Sequence, residues 1–217
     1  MPAQLRQCLQ QLPGWNFADL SETELHSLRL LLLQVPDDQL FESQQITEMW
    51  ANMPYWAFAW AGGRALAQWL LANPQAVSGK RVLDVGCGSG IAGIAAARAG
   101  ATVWGMDIDL LALQASQYNA ALNGVDWRPW QGQDWSEIDL FLGSDLLYDP
   151  DCRPLLAELC RQIPAGLLAE PISASGYRQA AIGDAKVLAT FASSTLPVIG
   201  DFDESVTIEI VAVADHP

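Results

Sequence analysis

The chain has 217 residues, 51% of them hydrophobic, which is enough for one α/β domain with a short extension. Its 25 acidic and 11 basic residues give a formal net charge of -14, so its surface repels a phosphate backbone, and no cluster of lysines and arginines offers a local exception. We therefore expect a protein partner, such as a lysine-rich surface, rather than a nucleic acid, although this acidity can equally serve solubility alone.

The cysteines and histidines give little support to metal or triad chemistry. The four cysteines contain no C-x-x-C pair, and the two histidines are His26 and His216. We therefore expect no metal site, no disulfide framework and no histidine base. The first eleven residues lack the apolar core of a secretory signal, and no apolar run is long enough to cross a bilayer, so we expect a soluble cytoplasmic protein without membrane partners.

Residues 1–50 are predicted to form a small N-terminal helical extension, and residues 51–217 the main domain. Ser21 and Glu24 have the S-x-x-E spacing of a capping box. The leucines that follow stand at helical intervals, at Leu25, Leu28, Leu31 and Leu32.

In the main domain, a helix over 64–71 is followed by alternating strands and helices, which predicts a doubly wound, mostly parallel α/β sheet. Strands are expected near 81–85, 102–107, 127–131, 138–143 and 166–170, and helices near 89–99, 109–123, 151–161 and 176–186. Two further β-rich runs, 187–192 and 205–213, predict an antiparallel hairpin at one edge of the sheet.

The strongest motif is V-L-D-V-G-C-G-S-G, which ends at Gly90. Gly86, Gly88 and Gly90 permit positive φ and leave room for a ligand beside the main chain. A dinucleotide fingerprint requires a small residue where Ile91 stands. Asp84 is unfavourable beside a pyrophosphate, but it suits the ammonium and sulfonium groups of S-adenosylmethionine. The loop therefore favours S-adenosylmethionine as the cofactor.

The next strand ends at Asp107, where a carboxylate can accept hydrogen bonds from both ribose hydroxyls. Asp109 is the alternative ribose ligand, but it is better placed to cap the following helix. Ile108, between these two acids, is grouped with the cofactor-binding residues. In the next loop, Gln133 and Asp134 are candidates for the adenine amine, with Trp135 beside the ring, although an ordinary polar loop explains them equally well.

The fourth strand of this sheet opens into S144-D-L-L-Y-D149, where ligands of such sheets bind. Asp145 and Tyr148 are therefore the candidate catalytic residues. Their D-x-x-Y spacing differs from the N-P-P-Y run of enzymes that act on planar amides and bases. Asp145 either anchors the cofactor's ammonium group or aligns an acceptor amine, and Tyr148 offers a π-face for a cation. The alternative is a surface turn that starts a helix.

Taken together, the motifs resemble those of the electron transfer flavoprotein β-subunit lysine methyltransferases. The matches lie between about 50 and 155 and include P54-Y-W-A57, W60-A-G-G63, V82-L-D84, D107-I-D109 and D145-x-x-Y148-D149. This resemblance implies a seven-stranded Rossmann-like sheet of the class I methyltransferases. It also implies methyl transfer from S-adenosylmethionine to a protein lysine, with S-adenosylhomocysteine as the product and an electron transfer flavoprotein β subunit as a candidate acceptor.

The resemblance further implies roles for individual residues. Trp60, Gly63 and the run from Asp84 to Gly90, including Cys87, contact the cofactor, Asp107 holds the ribose, and Asp145 with Tyr148 borders the acceptor lysine. The chain departs from the family after the fifth strand, where a G-D-P-G-R type run is replaced by A169-E-P-I-S173. A small-molecule N-methyltransferase, a nucleotide-dependent oxidoreductase and a non-catalytic cofactor-binding protein stay open as alternatives.

Overall fold

The computed structural model describes residues 2–36, 42–132, 134–198 and 205–214. Gln133 and His216 lie outside these ranges. The N-terminal segment contains helix α1 (Pro2–Gln11), strands β1 (Asp19–Leu25) and β2 (Leu28–Gln34), and helix α2 (Ser43–Ala51).

The predicted helix that begins at Ser21 is wrong, because β1 and β2 form an antiparallel hairpin there. The hairpin turns at His26 and Ser27, whose φ angles of 50° and 64° are those of a two-residue turn of type I′. The leucine run of β2 is buried on both faces of the strand. Leu30 and Leu32 lie in the main core, whereas Leu31 and Leu33 pack with Trp15. A continuous apolar run of this kind is typical of a strand covered on both sides.

The main domain follows the predicted alternation. Its elements are α3 (Ala61–Ala72), β3 (Arg81–Val85), α4 (Ile91–Arg98), β4 (Thr102–Met106), α5 (Leu110–Leu122), β5 (Trp127–Pro129), β6 (Leu140–Ser144), α6 (Cys152–Gln162), β7 (Ala165–Pro171), α7 (Ser175–Ile182), β8 (Lys186–Ser193) and β9 (Val206–Ala214). The strand and helix predictions from residue 81 onward are confirmed, with shifts of a few residues at their ends.

The seven strands β3 to β9 form one sheet in the order β5-β4-β3-β6-β7-β9-β8. The pairs from β5 to β7 are parallel, whereas β9 pairs antiparallel with both β7 and β8. The predicted doubly wound sheet with an antiparallel hairpin at its edge is therefore confirmed. Among the described residues, no helix combines the length and apolar character that crossing a membrane requires.

Helices cover both faces of this sheet. Val82 and Leu142 face the side of α3 and α4, where they join Leu66 and Ile94 in the main core. Leu83, their neighbour in β3, faces the opposite side and packs with residues of α6 and α7. Because the strands are buried on both faces, their carboxyl ends and the loops after them are the parts of the sheet left to meet a ligand.

Candidate active site

The turn between β3 and α4 is the glycine-rich loop that the sequence predicts to bind a cofactor. Gly86, Gly88 and Gly90 all have positive φ, at 62°, 51° and 81°. A Cβ atom on Gly90 would lie 2.8 Å from Ser116 Oγ, so this position has no room for a side chain. A Cβ atom on Gly88 would have no neighbour closer than 3.9 Å. Gly88 therefore faces open space, where a ligand can reach the main chain.

Asp84 lies in β3 directly beneath this loop and is buried. Its Oδ2 accepts a hydrogen bond of 3.0 Å from the N–H of Gly93 in α4. Gly93 permits this contact, because a Cβ atom there would lie 2.7 Å from the same oxygen. Burial raises the pKa of Asp84 to about 7, and the negative charge of Asp107 adds to the shift. A nearby positive charge would lower this pKa again and stabilise the ionised carboxylate.

Asp107 stands at the end of β4, across from the loop. Its Oδ2 accepts a hydrogen bond of 3.0 Å from the N–H of Gly88, and its Oδ1 accepts one of 2.9 Å from the N–H of Asp109. Burial raises its pKa. Asp109 caps α5 by accepting a hydrogen bond from the N–H of Leu111, which confirms its predicted capping role. The side chain of Ile108, between the two acids, is fully exposed.

Cys87 and Gly63 occupy positions set by close contacts. The Cys87 side chain is buried, and its Sγ lies 3.4 Å from the hydroxyl of Ser116, so the thiol packs in the core and only its main chain lines the loop. A Cβ atom on Gly63 would lie 3.0 Å from Ile91 Cγ2 and 3.3 Å from Ser144 Oγ. Gly63 thus brings the start of α3 against both the glycine loop and the end of β6.

Asp145 follows β6 and binds the N-terminus of α3. Its Oδ1 accepts a hydrogen bond of 3.1 Å from the N–H of Gly62, and its Oδ2 accepts one of 2.9 Å from the N–H of Gly63. The main chain of Asp145 has a φ of 53°, which is uncommon for a residue with a side chain. Burial raises its pKa to about 6. The carboxylate therefore joins the D-x-x-Y loop to the first turn of α3, a contact that the sequence alone does not indicate.

Glu170, at the end of β7, supports the same D-x-x-Y loop from below. It is 1% exposed, and its two oxygens accept hydrogen bonds of 2.8 and 3.4 Å from the N–H groups of Leu146 and Leu147. Burial raises its pKa to about 8, and the charge of Asp145 adds to the shift. The sequence marked Glu170 only as a departure from the related family. The sequence does contain a signal for a role of Glu170 at the site, namely an acidic residue at the end of a buried parallel strand.

Aromatic rings border the outer side of the loop. The rings of Tyr55 and Tyr148 stack at 6.1 Å, and the ring of Trp60 lies 5.7 Å from that of Tyr55. The Nε1 of Trp60 donates a hydrogen bond to the main-chain oxygen of Tyr55. Tyr148 is 62% exposed. A groove of about 310 Å³ opens beside Tyr55, between residues 50–56 and the start of α5. The aromatic cluster is thus open to solvent on this side.

The structure gives Asp134 and Trp135 local contacts of their own. Asp134 is exposed, and its Oδ1 accepts a hydrogen bond of 2.9 Å from the N–H of Ser136, which caps a short 3-10 helix. The ring of Trp135 stacks on Trp130 at 5.9 Å. Their predicted contact with adenine stays a prediction. Among the described residues, no group of three or more His, Cys, Asp and Glu side chains is arranged to hold a metal ion.

Comparison with known sequences confirms the predicted resemblance. The electron transfer flavoprotein β-subunit lysine methyltransferase of Xenopus laevis is 40% identical over 126 residues, which cover 55% of this chain and 51% of that protein. The human protein of the same name is 40% identical over 111 residues, covering 48% and 42%. The model of the ribosomal protein L11 methyltransferase (PrmA) family matches residues 68–137. The chain spans about half the length of the curated relatives it matches.

Solved structures share the fold at low sequence identity. The 16S rRNA N2 G1207 methyltransferase of Thermus thermophilus, in complex with AdoMet and guanosine, is 13% identical, with a TM-score of 0.56 over 92% of this chain and 51% of that chain. The ribosomal protein L11 methylase of Lactobacillus delbrueckii is 20% identical, with a TM-score of 0.50 over 81% of each chain. The chain has the Rossmann-like fold of S-adenosylmethionine-dependent methyltransferases.

Proposed function

We propose that this chain is an S-adenosylmethionine-dependent methyltransferase whose acceptor is a lysine side chain of a protein. The observation that carries the proposal is the placement of two neighbouring carboxyl groups at the glycine loop, Asp84 in β3 below it and Asp107 bonded to its open main chain at Gly88. Asp84 and Asp107 together form an acidic rim of the loop, and this rim attracts a positively charged ligand and repels a pyrophosphate.

The residues present fit this cofactor. Gly88 leaves its main chain accessible, and the carboxylate of Asp107, already bonded to Gly88, keeps further lone pairs for ribose hydroxyls. Asp84 provides a negative charge beneath the loop for the ammonium and sulfonium groups. Two solved structures with the same fold contain AdoMet or SAM. When bound, the cofactor supplies an activated methyl group on positively charged sulfur.

The aromatic cluster supplies what a lysine acceptor needs. The amine must be neutral to attack, and a free lysine has a pKa of about 10.4. Tyr55 and Tyr148 would remove water from the ammonium group, and this desolvation, together with the nearby sulfonium charge, lowers the lysine pKa. An amine held against these rings, its ammonium proton released to water, would be placed to take the methyl group that the bound cofactor would supply. Positioning of the two reactants accounts for up to ~7–11 kcal/mol of the barrier.

Asp145 is assigned a positioning role rather than that of a base. Both of its oxygens are bound to N–H groups of α3, and a carboxylic acid with a pKa of about 6 is too weak a base for a lysine ammonium group. Its contribution is to hold Tyr148 and the D-x-x-Y loop against the start of α3.

A protein acceptor is favoured by the open surface around Tyr148 and by the acidic net charge of -14. The names of the relatives from Xenopus laevis and human support the same acceptor class and make an electron transfer flavoprotein β subunit the first candidate to test.

The proposal is tested by incubating the protein with radiolabelled S-adenosylmethionine and a cell extract, and separately with a purified electron transfer flavoprotein β subunit. We expect label in protein, located on lysine by mass spectrometry. Label confined to small molecules would favour a small-molecule methyltransferase. Absence of cofactor binding by calorimetry would refute the cofactor assignment itself.

A further inference from the structure

Asn119 of α5 and Asn123, the residue that caps the C-terminus of this helix, bind the free edge of the N-terminal hairpin. Asn119 and Asn123 stand four residues apart and so share one face of the helix. The Oδ1 of Asn119 accepts a hydrogen bond of 2.7 Å from the N–H of Leu31, and the Oδ1 of Asn123 accepts one of 3.0 Å from the N–H of Arg29. The Nδ2 of Asn123 also donates to the main-chain oxygen of Arg29. Arg29 and Leu31 are two residues apart in β2, so their N–H and C=O groups point to the same side of the strand. That side is the edge that β1 does not pair.

Asn119 differs from Asn123 in its second partner. Its side chain is fully buried, and its Nδ2 donates a hydrogen bond of 2.9 Å to the main-chain oxygen of Ser89 in the glycine loop. Asn119 therefore touches the hairpin with its oxygen and the loop with its nitrogen. Among the described residues, the side chain of Asn123 bonds to Arg29 and to the main-chain oxygen of Asn119, and not to the loop.

A second side chain of α5 holds the neighbouring peptide group of the loop. The hydroxyl of Ser116 donates a hydrogen bond of 3.0 Å to the main-chain oxygen of Gly88. Since a trans peptide group is planar, fixing the oxygen of Gly88 towards α5 points the N–H of Ser89 away from α5. Two successive carbonyl groups are thus fixed beside Gly88, where the main chain is open to a ligand.

We propose that Asn119 is a positioning residue, which joins the main chain of the N-terminal hairpin to the glycine loop and fixes that loop for the cofactor. This inference rests on the proposed function, since it takes S-adenosylmethionine to be the ligand of the loop.

The test compares Asn119→Asp with Asn123→Asp. Each substitution keeps the oxygen that accepts from the hairpin and replaces an N–H donor by a carboxyl oxygen, but only the change at Asn119 faces the loop. At about pH 8 we expect calorimetry to show that Asn119→Asp raises the Kd for S-adenosylmethionine by about tenfold, while Asn123→Asp stays within about twofold of wild type.

A pH profile separates positioning from a general loss of structure. When the new carboxyl group of Asn119→Asp is protonated, it again donates to Ser89, so the ratio of its Kd to that of wild type should shrink as the pH falls from about 8 to about 5.5. Asn123→Asp should show no such change in the ratio. Equal losses of affinity in both variants, or an unchanged Kd in Asn119→Asp, would overturn the inference.

Amide hydrogen exchange in the ligand-free protein keeps the two proposals distinguishable. The N–H of Gly90 donates to the main-chain oxygen of Cys87 within the loop, so its exchange rate reports the order of the loop. We expect faster exchange at Gly90 in Asn119→Asp and not in Asn123→Asp. If wild type fails to bind the cofactor, the proposed function fails, while the exchange rates still decide whether Asn119 holds the loop. If Asn119→Asp does not fold, Ser116→Ala takes its place, and an unchanged Kd there would count against fixation of the loop by α5.

Discussion

Glu170→Gln should invert the order of stability between variant and wild type as the pH rises. Glu170 is buried, and its pKa is raised from an ordinary value of 4.5 to about 8. The folded protein therefore holds a proton on Glu170 over a pH range in which the unfolded chain has already released it. Stability from this group is greatest below about pH 4.5, falls as the pH rises, and levels off above about pH 8.

The size of the effect follows from the two pKa values. Each unit of separation corresponds to about 1.4 kcal/mol, so wild type should lose roughly 3–4 kcal/mol of this contribution between about pH 5 and pH 8. Glutamine does not titrate, and its side-chain oxygen still accepts from the N–H of Leu146. Its NH2 group, however, faces the N–H of Leu147, and two donors form no hydrogen bond. This mismatch costs about 1 kcal/mol at every pH. The variant should be the less stable protein at about pH 4 and the more stable one at about pH 8, with the two stabilities crossing near pH 5.

Urea unfolding at a series of pH values measures this difference. Glu158→Gln serves as the matched control, because Glu158 is exposed and its pKa is lowered by hydrogen bonds from Gln162 and Arg161, so the same crossing should be absent. A stability difference between Glu170→Gln and wild type that does not change with pH would refute the assignment of Glu170 as a protonated support of the loop. Growth of the difference in favour of wild type would refute it more strongly.

Four further predictions concern the cofactor and the acceptor. Asp107→Ala should raise the Kd for S-adenosylmethionine by at least about tenfold in calorimetry, whereas Asp126→Ala, which removes an exposed ion pair with Arg128, should change it little. Asp145→Asn should slow methyl transfer at saturating cofactor by about tenfold or more while the Kd stays within a few-fold; a collapse of cofactor affinity would assign Asp145 to the cofactor instead. Tyr148→Phe should keep most of the methylation activity and Tyr148→Ala should lose it, since the ring rather than the hydroxyl covers the acceptor. Cofactor binding should release close to one proton at about pH 6 and much less at about pH 8, measured as heat in buffers of different ionisation enthalpy, because a positive ligand lowers the Asp84 pKa from about 7.

The sheet and its glycine loop could be predicted from sequence because their signals are local. Alternating apolar runs identify strands buried on both faces, and the glycines after β3 mark a turn that requires positive φ. The capping role of Asp109 is local in the same way, since its partner lies two residues further along the chain. Each of these predictions depends only on residues that are close together in the sequence.

The contacts that shape the acceptor side could not be predicted, because they join distant parts of the chain. Asp145 binds Gly62 and Gly63, which lie more than eighty residues away in sequence. The residues around either position contain no pattern that predicts this contact. The helix predicted in place of the hairpin was wrong for a different reason. Leucines at helical spacing and leucines in a strand buried on both faces produce the same sequence pattern. In addition, the turn at His26 and Ser27 lacks the glycine or asparagine that is common in such turns.

The electrostatics of the rim connect these observations to the choice of ligand. Burial keeps Asp84 near half-ionisation at neutral pH, and Asp107 adds repulsion, so the rim without a ligand holds more protons than two ordinary aspartates would. A unit charge about 5 Å from a carboxylate changes its energy by about 3 kcal/mol at an effective dielectric constant of about 20. For a sulfonium or ammonium group this term favours ionisation and binding together, whereas for a pyrophosphate it opposes both. The same two acids therefore favour a cationic methyl donor and disfavour a dinucleotide on a sheet that could hold either.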